Sequence, residues 1–156
     1  MIFVECKPDE TLVEALGISR ENLRHVRDKP RVIKLVRKYD GSIGLIDEDP
    51  FSAQPSFLKE FREVDFEHHV RLLKHGSDKE SYLVVLCPRL EEWVLDAAKE
   101  VRLDPQKYGL PAGAAELKRV INYRLDCYRK FIEKILGEKS QRFEKLKSLL
   151  SGCLAK

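Results

Sequence analysis

The chain has 156 residues, 43% of them hydrophobic and 35% charged, and a formal net charge of +3. That length predicts one domain burying roughly 70% of its extended surface, enough to fold without disulfide or metal staples. The longest apolar run, Tyr82 to Cys87, falls far short of the roughly 18 residues of a membrane span, so the composition argues against a membrane protein, a secreted miniprotein and a disordered tail.

The opening Met1-Ile2-Phe3-Val4-Glu5 carries no basic segment and no small-residue cleavage site. It predicts no signal peptide and a cytoplasmic protein. Cys6, Cys87, Cys127 and Cys153 form no CxxC pair and no cluster with histidine, so they read as reduced thiols rather than zinc ligands.

In chain order, Ile2 to Glu5 reads as a short buried strand. A helix follows from Pro8-Asp9, with Asp9 and Glu10 suited to its first turn and Gly17 ending it. Ser19 is placed to cap a second short helix running to Arg27. Pro30 opens a third helix to about Tyr39, and Asp40-Gly41 is a turn. Ser42 to Ile46 is a second buried strand, followed directly by Asp47-Glu48-Asp49-Pro50. Pro50 and Pro55 mark a loop with at most one helical turn near Ser56 to Glu60. Glu63 to Phe66 and Val70 to Lys74 read as strands, Gly76-Ser77-Asp78 as a turn, and Ser81 to Cys87 as the clearest strand. Leu90 to Val101 is a helix. From Ala112 to Leu136 apolar residues recur at spacings of three and four, predicting one long helix that Gly137 breaks before a last one.

Strands separated by helices predict an α/β fold with a mostly parallel sheet, because the helical crossover from the first strand to the second makes them parallel neighbours. The organisation expected is an α/β domain over residues 1–111 and a helical extension over 112–156, packed on the same domain or on a partner subunit as a homodimer.

Ligands of such sheets bind at the carboxyl ends of the strands. Those ends carry Glu5, Asp47 and Asp49, and Cys87 leads to Glu91. In an extended segment alternate residues point the same way, so Asp47 and Asp49 are expected to reach one metal while Glu48 points elsewhere. A hard cation such as Mg²⁺, or Mn²⁺ in its place, takes oxygen ligands and would relieve the repulsion among clustered carboxylates. Adjacent His68 and His69 diverge in a strand and are not read as a metal pair. The charge is also regional. Arg20 to Lys38 carries +6, Asp47 to Glu67 carries −5, and Glu116 to Lys147 carries +5. Acids between two basic flanks suit a metal centre with a nucleic-acid-binding surface around it.

Phe3-Val4-Glu5-Cys6-Lys7-Pro8-Asp9-Glu10 resembles the opening of a Toprim domain, an apolar strand followed by Glu, usually Gly, two variable residues and Asp. Gly44-Leu45-Ile46-Asp47-Glu48-Asp49 resembles the Asp-x-Asp strand of that family, which is found in topoisomerases, primases, maturases and nucleases. Pro88-Arg89-Leu90-Glu91-Glu92-Trp93 is similar to a Pro-x-x-Glu-x-Trp stretch of small Toprim-like proteins. The resemblance covers Phe3 to Trp93 and leaves the helical C-terminal third uncovered. It implies a Rossmann-like Toprim fold and Mg²⁺-dependent phosphodiester chemistry on nucleic acid. Glu5 would transfer protons or bind metal, Asp47 and Asp49 would hold the ion, and Glu91 would support them. Cys6 stands where the family usually has Gly. That departure keeps open a catalytically degenerate nucleic-acid- or protein-binding module. A haloacid-dehalogenase phosphatase would carry its Asp-x-Asp on the first strand, where this chain has Glu5, and no Gly-x-Ser-x-Gly nucleophile elbow is present.

Overall fold

The computed structural model describes residues 1–154. Six strands form one mixed sheet in the order β2-β1-β3-β6-β5-β4. They are β1 (Ile2–Val4), β2 (Leu23–His25), β3 (Ile43–Asp47), β4 (Phe61–Glu67), β5 (Val70–His75) and β6 (Tyr82–Leu86). The first three and β6 run parallel, whereas β5 and β4 are added antiparallel at one end. The helices are α1 (Lys7–Ala15), α2 (Lys29–Lys38), α3 (Leu90–Glu100), α4 (Ala114–Val120), α5 (Leu125–Gly137) and α6 (Gln141–Leu154). The expected α/β class and mostly parallel sheet are therefore what the chain forms.

Two local expectations change. Where a second helix was expected after Ser19, only a 3₁₀ turn forms at Arg20–Asn22, and Leu23–His25 becomes the edge strand β2. The segment is too polar for periodicity to reveal it, and its pairing with β1 decides its state. The long helix expected from Ala112 to Leu136 is broken. A 3₁₀ turn at Ile121–Tyr123 separates α4 from α5, so one apolar rhythm serves two helices.

Sheet alternation sorts the core into two layers. Ile43, Leu45, Val84 and Leu86 join the larger core with α1, α3, α5 and α6. Phe3, Ile46, Leu83 and Val85 face the other side and pack with Val32, Ile33 and Val36 of α2. Gly44 lies under α2, where a Cβ would stand only 2.6 Å from Val32 Cγ1 and 2.8 Å from Leu83 Cδ2. The missing side chain is what lets α2 approach the sheet. Asp28 caps α2 by accepting the Arg31 N–H at 2.9 Å.

The C-terminal helices share the larger core. Phe131, Ile132, Ile135, Phe143, Leu146 and Leu150 are fully buried. Trp93 of α3 stacks on Phe143 of α6 with ring centroids 5.5 Å apart, and its Nε1 donates to the His68 carbonyl. His68 and His69 both have positive φ and form the two-residue turn between β4 and β5. Among the described residues no helix is long and apolar enough to cross a membrane.

Candidate active site

The connection from β1 leads to β2 on one side, and β3 lies on the other. The gap between the carboxyl ends of β1 and β3 is thus a topological switch point, the place where open α/β sheets bind ligands. Glu5 follows β1 there, and Asp47 ends β3. A cavity of about 330 Å³ opens over them, and Glu5, Asp9, Asp47 and Glu91 all line it. The four come from the exit of β1, the first turn of α1, the end of β3 and the first turn of α3.

Each carboxylate is held by backbone or by the start of a helix. The Asp47 N–H donates to Glu5 Oε2 at 3.2 Å, tying the two strand ends together. Asp47 Oδ1 accepts the Leu90 N–H at 3.1 Å and so caps α3 from outside the helix. Asp9 and Glu91 lie in first helical turns, where the helix dipole favours negative charge. Asp9 is only 2% exposed and Glu91 only 9%.

This grouping strains the ionised state. Burial, then the charges of Asp9, Glu5 and Glu91, push Asp47 up to about 9. Burial and then the Glu5 charge push Asp9 up to about 7. Glu5 and Glu91 are raised as well, chiefly by burial. Acids that repel one another in a closed space favour protons or a cation.

Cations stand on the same walls. Arg27 precedes α2, Lys118 projects from α4, and both line the cavity with Asn122. The charge of Lys118 acts on Glu91. The C-terminal segment therefore contributes a wall of the site.

Asp49 does not line this cavity. Its φ of 50° breaks the extended alternation that would have turned it the same way as Asp47. Its Oδ1 accepts from Arg89 Nε at 2.9 Å instead. Glu48 faces the α2 side and pairs with Arg71 at 3.1 Å. The loop is fixed by continuing the β3–β6 ladder, with Glu48 N–H donating to Leu86 and Asp49 N–H to Pro88. Lys7 pairs with Glu10 on the surface.

Asp9 is the acid that reading by strand ends passed over. Its signal was the spacing of four from Glu5, which brings a residue just inside a helix back over the strand that feeds it. Cys6 lines the cavity between them. Burial and the Asp9 charge push its thiol well up, so it is not an activated nucleophile.

The donor chemistry is all carboxylate oxygen, which suits a hard cation rather than a soft one. Among the described residues no group of three or more His, Cys, Asp or Glu forms a ready metal-binding cluster. Mg²⁺ usually takes only one or two protein carboxylates and completes its shell with water and phosphate, so the donor set fits that mode. No protein-family model matches the chain, and no curated protein or solved structure matches it either.

Proposed function

We propose that the chain is a small Toprim-like protein that carries out Mg²⁺-dependent, nuclease-like phosphodiester chemistry on nucleic acid. One observation carries the reading: four carboxylates from separate elements line one cavity at the sheet's switch point, with Arg27 and Lys118 on its walls. Asp47 would hold the ion, with water and a substrate phosphate completing its shell and Glu91 supporting it from α3. Bound there, Mg²⁺ or Mn²⁺ would polarise a phosphodiester and stabilise charge on its oxygens.

The chain's own residues have separable tasks. Glu5 is the proton-transfer group, because burial raises its affinity for a proton and the Asp47 N–H orients its carboxylate. Arg27 and Lys118 take the phosphate backbone. Asp49 and Arg89 brace the loop that carries Asp47.

The test is calorimetric titration of Mg²⁺ and Mn²⁺ into wild type and Asp47→Asn/Asp49→Asn, followed by cleavage assays on labelled DNA and RNA. Binding lost in the double variant, with metal-dependent cleavage by wild type, is the expected result. No binding of either ion, even with an oligonucleotide present, overturns the metal-enzyme reading. The presence of Cys6 on the cavity wall favours a second reading, a degenerate module that binds nucleic acid or protein without turnover. Oligonucleotide binding without cleavage would select it.

A further inference from the structure

Among the described residues, two aromatic rings are almost bare: Phe51 is 93% exposed and Tyr123 is 88% exposed. A single surface hydrophobe is ordinary, so the neighbours decide whether either ring matters. Phe51 follows Asp47, Glu48 and Asp49 in the acidic part of the chain. Tyr123 stands in the stretch 118–124, where Lys118, Arg119 and Arg124 are cations and no acid occurs.

That stretch is anchored from below. Leu117 and Ile121 are buried in the larger core. The Arg124 N–H donates to the Ile121 carbonyl at 3.2 Å and closes the turn that ends in Tyr123. Arg124 Nη1 donates to the Gly109 carbonyl at 2.8 Å and ties the turn to the loop before α4. The backbone under the ring is thus ordered before a ligand arrives, which lowers the cost of binding. The ring itself is left out of this packing, so the fold gains little from it.

The cations keep their charge. The acceptor of Arg124 is a neutral carbonyl. Lys118 and Arg119 are exposed, and neither forms an ion pair with a carboxylate of the described residues. Lys118 feels Glu91 only at longer range. Glu116, the nearest acid before the stretch, lies folded against Gly113 at the start of α4. Asp126, the nearest after it, belongs to the first turn of α5.

The stretch also borders the acid cavity. Lys118 and Asn122 line it together with Arg27. Arg119 and Tyr123, the residues that follow them, are exposed outside it. Cations answer phosphates, and a flat ring answers the face of a base. A base offers that face only when it is unpaired and unstacked. An acidic peptide would answer the cations and leave the ring unused.

We infer that this strip docks single-stranded nucleic acid, with one unpaired base stacked on Tyr123 and the flanking phosphates on Arg119 and Arg124. The inference rests on the nucleic-acid reading above and names the form of that substrate, an unpaired strand rather than a duplex.

The test is fluorescence anisotropy on the full chain in EDTA, with a short labelled single strand, as DNA and as RNA, and with blunt duplexes of the same sequence. At least one single strand is expected to bind more tightly than its duplex. Tyr123→Ala is expected to weaken single-strand binding by about fivefold or more, with the urea midpoint unchanged because the ring is bare. Tyr123→Trp is expected to keep the affinity, and its exposed indole to be quenched on binding, a signal that the buried Trp93 does not give. Arg119→Gln is expected to lower the salt slope of binding by about one. Single-strand binding that Tyr123→Ala leaves unchanged overturns the inference, as do duplex binding of equal strength and the absence of binding to every oligonucleotide. Poly-glutamate that displaces the strand as well as unlabelled strand does would assign the strip to an acidic protein and overturn it too. With metal withheld, strip and metal centre fail separately. Metal-dependent cleavage with binding independent of Tyr123 removes the strip alone, and Tyr123-dependent binding without Mg²⁺ binding removes the metal-enzyme reading alone.

Discussion

The carboxylate of Asp47 caps a helix to which it does not belong: its Oδ1 takes the Leu90 N–H at 3.1 Å, at the first residue of α3. The same side chain holds its proton more strongly than Asp9 does in that cavity. Its hydrogen bond and its charge therefore act in opposite directions on stability. Asparagine keeps an acceptor for Leu90 and removes the need to take up a proton on folding, while alanine loses the acceptor as well. In metal-free buffer at neutral pH, Asp47→Asn is expected to raise unfolding stability by about 1 kcal/mol or more, and Asp47→Ala to lose about 1 kcal/mol of capping relative to Asn. Urea unfolding of the two variants beside wild type reads both effects. An asparagine variant less stable than wild type would show that the carboxylate is not strained.

The same strain has a sign in pH. In the unfolded chain Asp9 and Asp47 titrate near 3.8, whereas in the folded protein they hold their protons to about 7 and about 9. The folded state then binds more protons than the unfolded state across that interval, so stability falls as pH rises through it. The contribution is complete below the unfolded values and gone once Asp47 has titrated. Other groups add slopes of their own, so the difference between wild type and Asp47→Asn isolates the effect. Urea midpoints in EDTA are expected to fall more for wild type than for the variant between about pH 5 and about pH 9. Parallel curves would contradict this.

The strands β1, β3 and β6 and the acids at their ends were legible in the sequence because buried parallel strands are continuous apolar runs and end abruptly. Asp47, Glu5 and Glu91 could therefore be brought to one edge. β2 was hidden because Leu23-Arg24-His25 has no apolar pattern and exists through its ladder with β1. Asp49 was misdirected by assuming extended backbone, which its positive φ breaks. Asp9 and Lys118 reach the cavity through helix placement, and no pattern within one segment encodes where a helix docks.

Asp49 and Arg89 make a pair in which the carboxylate side chain is 39% exposed and the guanidinium 27%. Solvent screens such a pair, so Asp49→Asn is expected to cost less than about 1 kcal/mol of stability. Because Asp49 turns away from the cavity, the single variant is also expected to retain most of the Mg²⁺ affinity, whereas Asp47→Asn loses about tenfold or more. Calorimetry on the two single variants checks this. Equal losses would mean that Asp49 leaves Arg89 when the ion binds.

Gly44 tests the close approach of α2 to the sheet. An alanine Cβ would meet Val32 at 2.6 Å, Leu83 at 2.8 Å and Val36 at 3.0 Å, all side chains in the interior of the smaller core. These neighbours are themselves packed, so α2 must shift outward. Gly44→Ala is expected to destabilise by about 1–3 kcal/mol, the ordinary cost of overpacking. Thermal unfolding measures it, and an unchanged midpoint would show that α2 can move freely.

Phe143 tests whether the C-terminal helices are part of the fold that builds the site. Its ring stacks on Trp93 of α3, the helix whose first turn carries Glu91 and whose Leu90 N–H holds Asp47. α5 is tied to the start of α1 by the Tyr128 hydroxyl, which donates to the Pro8 carbonyl beside Asp9. Both anchors lie within the larger core, so removing the ring leaves a cavity behind the helix that positions two of the four acids. Phe143→Ala is expected to cost about 3–5 kcal/mol, and the urea transition is expected to remain single because the two halves share that core. Two separated transitions, with near-native signal from the sheet after the C-terminal helices melt, would instead make residues 112–156 an independent unit.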